Sequence, residues 1–226
     1  MKLIVFDCDG TLVDSQHMIV AAMERAFADR ALALPVRDNI LGVVGLSLPI
    51  AIERLVPHMS VAAIDDLAEG YKAAFGELRR DPLQREPLYP GVREILNELG
   101  ARDDVMLGVA TGKSRRGVAA ILEREGLDGL FQTIQTADTH QSKPDPSMLI
   151  TAMAEAGCGP PDTIMIGDTT FDIEMARAAG VRAVAVSWGY HPIEALVTAG
   201  AHIVVGDAKA LMTELRLFAK PAEVLS

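Results

Sequence analysis

The chain opens on an unbroken apolar run, Leu3-Ile4-Val5-Phe6, that ends in Asp7-Cys8-Asp9-Gly10-Thr11. A short apolar run closed by an acid-and-glycine turn predicts a buried strand. The period then changes. Between His17 and Arg30 the apolar positions Ile19, Met23, Ala26 and Phe27 follow helical spacing, and further helices are predicted over residues 49–56 and 61–79. No strand is predicted between Asp14 and Pro87. Residues 81–91 hold Pro82, Pro87, Pro90 and Gly91, a stretch that can neither continue a helix nor join a central strand.

From Val92 onward the pattern alternates. Helices are predicted over residues 92–99, 115–125, 146–156, 174–179 and 193–199, with one more at the end of the chain. Strands are predicted over residues 105–110, 133–135, 163–166, 183–186 and 203–205. Strands alternating with helices mean an α/β fold with a doubly wound parallel sheet. The all-helical block after the first strand then reads as an inserted cap. The predicted organisation is a core of residues 1–15 and 88–226 and a small helical cap of residues 16–87, hinged near 14–16 and 81–90.

Composition narrows the class. The chain has 226 residues, 50% hydrophobic but only 4% aromatic, so its core must be mostly aliphatic, as in helix-covered parallel sheets. A net charge of −10 argues against nucleic acid or an anionic membrane as partner, since both reward a basic face. Cys8 and Cys158 are far apart and form neither a disulfide framework nor a zinc motif. No apolar run reaches membrane-spanning length, and the opening strand leaves no room for a signal peptide. The expectation is a cytoplasmic protein acting on a small molecule, with monomer or homodimer left open.

Asp7 and Asp9 leave a strand end, and strand ends in open α/β sheets are where ligands bind. One carboxylate can act as nucleophile and the other can move protons; together they invite a hard cation with oxygen ligands, Mg²⁺ above all. Three further polar sites fall at predicted strand ends or loops. Thr111-Gly112-Lys113 follows a strand and opens a helix, offering a hydroxyl and free amides to an anion or simply a helix cap. Lys113, Arg115 and Arg116, early in that helix, are read by default as solvated, with an anion to face as the alternative. Ser142-Lys143-Pro144-Asp145-Pro146 holds Lys143 between a polar loop and two prolines, where it can face a phosphate. Asp168 and Asp172, one helical turn apart after the run Ile164-Met165-Ile166-Gly167, add oxygen ligands for a divalent cation.

DCDGTLVDS, VATGKS, SKPDP and IGDTTFDIEMARAAGV resemble, in order, the four motifs of the haloacid dehalogenase superfamily. The helical insert before Tyr89-Pro90-Gly91-Val92 is similar to the α-helical cap of its phosphoglycolate-phosphatase-like branch. The resemblance implies an aspartyl-phosphate phosphatase in which Asp7 attacks phosphorus and Asp9 protonates the leaving oxygen, then deprotonates water. It implies Mg²⁺ held by Asp7, the Asp9 backbone carbonyl and Asp168, with Asp172 in support. Thr111, the Gly112 amide and Lys143 would hold the phosphoryl oxygens. The substrate implied is a small phosphorylated metabolite, phosphoglycolate among the candidates.

The same motifs also serve a β-phosphoglucomutase-like phosphotransferase or a pyrophosphatase. True dehalogenases of the superfamily resemble this chain less, because Asp9 is present. A receiver-like regulatory or binding protein also uses acids, a threonine and a lysine on a parallel sheet. The first acid pair, the large insertion and the late Asp168/Asp172 pair fit hydrolase order better. Specificity is expected in the cap, where residues 42–47 form a glycine-flanked loop and Arg54, Lys72, Arg79 and Arg80 are candidate carboxylate contacts. By alternation Cys8 should point away from the acids. His17 is read as a hydrated or core-edge histidine, and the aromatics of the 188–192 loop as anchors of that loop rather than lining of the entrance.

Overall fold

The computed structural model describes residues 1–81 and 84–219. Pro82 and Leu83 of the proline-rich segment lie outside the described residues. Six strands, β1 (Lys2–Phe6), β2 (Val105–Thr111), β3 (Thr133–Thr136), β4 (Thr163–Gly167), β5 (Arg182–Val186) and β6 (Ile203–Val205), form one sheet in the order β3-β2-β1-β4-β5-β6. Every neighbouring pair is parallel. This is the doubly wound α/β sheet that the alternating pattern predicts.

β1 shows how the core is divided. Ile4, Phe6 and Cys8 face a cluster that includes Leu96, Leu122 and Leu215, from helices α5 (Val92–Gly100), α6 (Arg115–Glu125) and α10 (Ala208–Phe218). Leu3 and Val5 face the other side, against Met148 and Leu149 of α7 (Ser147–Ala156) and Ile173 of α8 (Thr170–Ala178). The period of two in a strand puts Asp7 in step with Leu3 and Val5, and sends Cys8 to the opposite, apolar face.

Between β1 and α5 the described residues form four helices: α1 (Gln16–Ala28), α2 (Arg37–Leu41), α3 (Leu48–Leu55) and α4 (Val61–Leu78). They bury their own core, with Met18, Phe27, Ile52 and Leu67 at its centre. α2 was not expected. It has five residues and no side-chain cap, and its Asp38-Asn39 pair favours turns over helices, so a period of 3.6 has no length in which to appear. The chain leaves and re-enters the sheet domain through two paired segments, with Asp14 N–H donating to the Pro87 carbonyl at 2.8 Å and Tyr89 N–H to the Leu12 carbonyl at 3.0 Å. Among the described residues no helix is long and apolar enough to cross a membrane.

Phe27 is fully buried in the cap's separate core. Phe27→Ala should therefore cost about 3–5 kcal/mol, read by urea denaturation.

Candidate active site

The order β3-β2-β1-β4-β5-β6 reverses direction between β1 and β4, and ligands of open sheets bind outside the strand ends at such a switch point. Asp7 follows β1 there, its N–H donating to the Ile166 carbonyl of β4 at 2.9 Å. Asp168 follows β4, and Asp172 lies in the first turn of α8. Oxygens of Asp7, Asp168 and Asp172, all buried, lie within 4.8 Å of one another.

Each carboxylate is held differently. Asp168 accepts from Thr11 Oγ1 at 2.8 Å and from the Tyr190 amide at 2.9 Å. Asp172 Oδ2 accepts from the Thr169 amide at 3.0 Å and the Thr169 hydroxyl at 2.7 Å, closing a capping box at the start of α8. Lys143 Nζ donates to Asp7 Oδ1 at 2.7 Å and Asp172 Oδ1 at 2.6 Å. Asp7 Oδ2 is buried and has no hydrogen-bond partner.

Glycines make the room. A Cβ on Gly10, which has φ +91°, would lie 2.2 Å from Asp168 Oδ2, and one on Gly189 would lie 2.2 Å from Asp168 Cβ. The turn after β1 and the loop after β5 thus close on the Asp168 side chain from two sides.

Burial is the main force on Asp7 and Asp168. It lifts Asp7 to about 7, with Lys143 opposing and Asp172 and Asp9 adding to the rise. Burial, then Asp172 and Asp7, also raise Asp168 well above the usual carboxylate range. Burial works against the Lys143 charge too, but Asp172 and Asp7 outweigh it and keep the ammonium protonated.

Asp9 stands apart from this trio. Its carboxylate accepts from Lys113 Nζ at 2.8 and 3.1 Å. Lys113 also reaches Glu86 Oε1 at 2.7 Å, and its side chain is 8% exposed, so the solvated reading of Lys113 is corrected. The reason is local: Glu86, fully buried on the returning linker, supplies a second anion that sequence spacing could not place. Arg115 and Arg116 are exposed, as read. Thr111 is buried, and its Oγ1 accepts the Lys113 amide at 3.2 Å.

The cap loop sits directly on this edge. Ser47 N–H donates to Ser142 Oγ at 2.9 Å, and a Cβ on Gly112 would lie 2.5 Å from the carbonyl oxygens of Gly45 and Leu46. Val43, Leu46 and Ala51 of the cap pack on Phe171 of α8, and Arg54 lies 5.0 Å above that ring. Trp188 donates to the Thr11 carbonyl at 3.2 Å, Tyr190 meets Ser15 Oγ at 3.1 Å, and His191 is 3.2 Å from the Gly42 carbonyl. That aromatic loop anchors the hinge and cap as well as Asp168. His17 is exposed and takes no part. Lys72 pairs with Glu69 on the surface, whereas Arg79 turns to Glu86.

Residues 4–186 match the family described as haloacid dehalogenase-like hydrolase. The chain belongs to that family. This haloacid dehalogenase-like hydrolase is an enzyme, and its buried acid trio lies within the matched span. It is 33% identical over 214 residues to a phosphoglycolate phosphatase of Pseudomonas savastanoi pv. phaseolicola, covering 93% of this chain and 78% of that one. A probable phosphatase, IndB, of Dickeya dadantii is 34% identical over 221 residues, covering 93% and 94%. A solved hydrolase from Pseudomonas syringae superposes with a TM-score of 0.84 at 26% identity, covering 97% of this chain and all of its own.

What sequence reasoning missed in this hydrolase is the second charged centre around Lys113. The one available signal was Glu86 itself, an acid within a proline-bounded linker.

Two outcomes follow from this geometry. Gly112→Ala places a methyl against backbone that cannot swing aside, so the cap loop must retreat; it should lower stability by only about 1–3 kcal/mol while increasing the radius of gyration in small-angle scattering. For Asp7, ordinary carboxyl ionisation lies at 3.8 and the folded value at about 7, so between these the folded state holds the extra proton. Its contribution to stability is full below the lower value and is lost as pH rises through about 7. In the presence of chelator, the fall in Tm from pH 5 to pH 8 should be smaller in Asp7→Asn than in the wild type.

Proposed function

We propose that this enzyme is a Mg²⁺-dependent phosphatase that hydrolyses a small phosphate monoester through a phosphorylated Asp7, with phosphoglycolate the favoured substrate. The observation that carries the reading is Asp7 Oδ2, a buried carboxylate oxygen with no partner, beside a lysine and two further acids. A nucleophile needs such a free lone pair, and its neighbour oxygen is already fixed by Lys143.

The donors also fit a hard divalent cation: all are carboxylate oxygens, and three buried acids face one ammonium group, a deficit that two positive charges would close. The side chains of Asp7 and Asp168 and the backbone carbonyl of Asp9 would hold Mg²⁺, with Asp172 in support. When bound, the ion supplies neutralisation of charge on the phosphoryl oxygens.

The chain's own groups do the rest. Asp7 Oδ2 attacks phosphorus as the ester P–O bond breaks, and Asp9 gives its proton to the departing oxygen. Water then attacks the phosphorus of the acyl phosphate; Asp9 takes the water proton, and the P–O bond to Asp7 breaks to free phosphate and the carboxylate. Lys143, the Thr111 hydroxyl and the Gly112 amide hold the phosphoryl oxygens and oppose repulsion between anion and nucleophile. Residues 16–87 act as the mobile cap, closing loop 42–47 over the ligand and excluding water. Two relatives named as phosphatases support the ester, and the phosphoglycolate phosphatase among them supports a short phosphorylated acid. Two unpaired cysteines and a charge of −10 support a cytoplasmic setting without nucleic acid as partner.

Phosphate release from phosphoglycolate, pyrophosphate and β-glucose 1-phosphate, with and without Mg²⁺, tests the reading. Fast release from phosphoglycolate that needs Mg²⁺ and falls at least about 1,000-fold in Asp7→Asn is the expected result. Undiminished turnover by Asp7→Asn would remove Asp7 as nucleophile, and conversion of β-glucose 1-phosphate without phosphate release would favour the mutase.

A further inference from the structure

Lys113 Nζ bridges two carboxylates, Asp9 on the sheet domain and Glu86 on the linker that returns from the cap. Glu86 is fully buried and is fixed from its far side: its Oε2 lies 3.4 Å from Arg79 Nη2 and 3.9 Å from Arg124 Nη1, and Arg124 also donates to its carbonyl. The lysine stem has a prepared bed, since a Cβ on Gly117 would come within 2.9 Å of Lys113 Cγ. From the cap, the Phe75 ring covers the pair, 4.9 Å from Lys113 Nζ and 5.0 Å from the Arg79 guanidinium carbon.

Such a cluster is poorly explained by stability. Desolvating paired charges roughly cancels their attraction, and apolar residues of similar volume often do as well or better. What a doubly gripped ammonium does provide is direction. With Glu86 holding Nζ on one side, the Asp9 carboxylate on the other has a fixed donor to align to. The same residue's amide fixes Thr111 Oγ1, so one lysine sets two groups at the site.

We propose that Glu86 is a positioning residue that, through Lys113, aims the Asp9 carboxylate at the oxygen leaving the phosphoryl group. This rests on the phosphatase reading above, in which Asp9 protonates that oxygen. The role of a proton donor depends on the leaving group: an alkoxide needs the proton, an acetate does not. Ethyl phosphate and acetyl phosphate are of similar size and lack a free carboxylate, so the ratio of their kcat/KM values isolates proton donation. The ratio is also independent of the fraction of folded enzyme.

In Glu86→Gln and Lys113→Met that ratio, ethyl over acetyl, should fall about 10-fold or more, part of the 10²–10⁴ that general acid catalysis supplies. Glu86→Asp and Lys113→Arg, which keep the charges, should recover most of it. An unchanged ratio, with both substrates slowed equally, would overturn the proposal in favour of a structural role. A loss confined to phosphoglycolate, with the ratio intact, would overturn it in favour of substrate binding by Lys113. Wild-type enzyme that releases phosphate from none of the three would overturn the phosphatase reading and this inference together, whereas an active wild type with an unchanged variant ratio overturns the inference alone.

Discussion

Three buried carboxylates face a single ammonium group where β1 and β4 end, and most of the surrounding architecture answers that imbalance. Lys143 touches Asp7 and Asp172 but can neutralise only one charge. An ion taken out of water costs several kcal/mol even after relaxation, so unpaired negative charge here opposes folding. The raised Asp7 and Asp168 are the visible result: burial drives them toward the protonated form. Donors are placed to hold the other oxygens, Thr11 and Tyr190 on Asp168 and Thr169 on Asp172. The one side-chain oxygen of the trio without a hydrogen-bond partner is Asp7 Oδ2, the atom to which the proposed mechanism gives the attack on phosphorus.

The sheet explains why this corner can exist at all. Parallel strands with opposite winding directions leave a crevice beside β1, and the strand ends reach it from both sides. Backbone must then approach the acids closely, which is why glycine stands at positions 10 and 189, where a methyl group would collide with Asp168. Gly112 plays the same part toward the cap, taking the carbonyls of Gly45 and Leu46 against its bare α-carbon. Side-chain absence is here as specific as side-chain presence.

Much of this was legible in the sequence, and the failures share a cause. The strands other than β3, which is Thr133-Ile134-Gln135-Thr136, announce themselves as short, mainly aliphatic runs, and the acids after β1 and β4 inherit a common edge from the topology. The alternation that sends Cys8 to the apolar face is equally local. Lys113 is different. Read along the chain it is one of three cations in the first turns of a helix, where solvation is the natural assumption. Its burial depends on Glu86, which is 27 positions away and arrives through the return from the cap. Spacing rules carry information over one or two turns or one strand; a pairing made by the closure of an inserted domain lies beyond them. α2 escaped for the opposite reason, being too short for any period to register.

The two buried lysines divide the site into halves carried by different elements. Lys143 ties Asp7 to Asp172, and all three belong to the sheet domain. Lys113 ties Asp9 to Glu86 beneath Phe75 and Arg79 of α4, so that half includes residues of the cap and its linker. In the proposed mechanism the nucleophile, Asp7, is therefore set by the sheet domain alone. The acid's partner in that mechanism arrives on the return from the cap, where Arg79 of the cap side and Arg124 of α6 both hold Glu86, and this division follows from which elements carry Asp172 and Glu86.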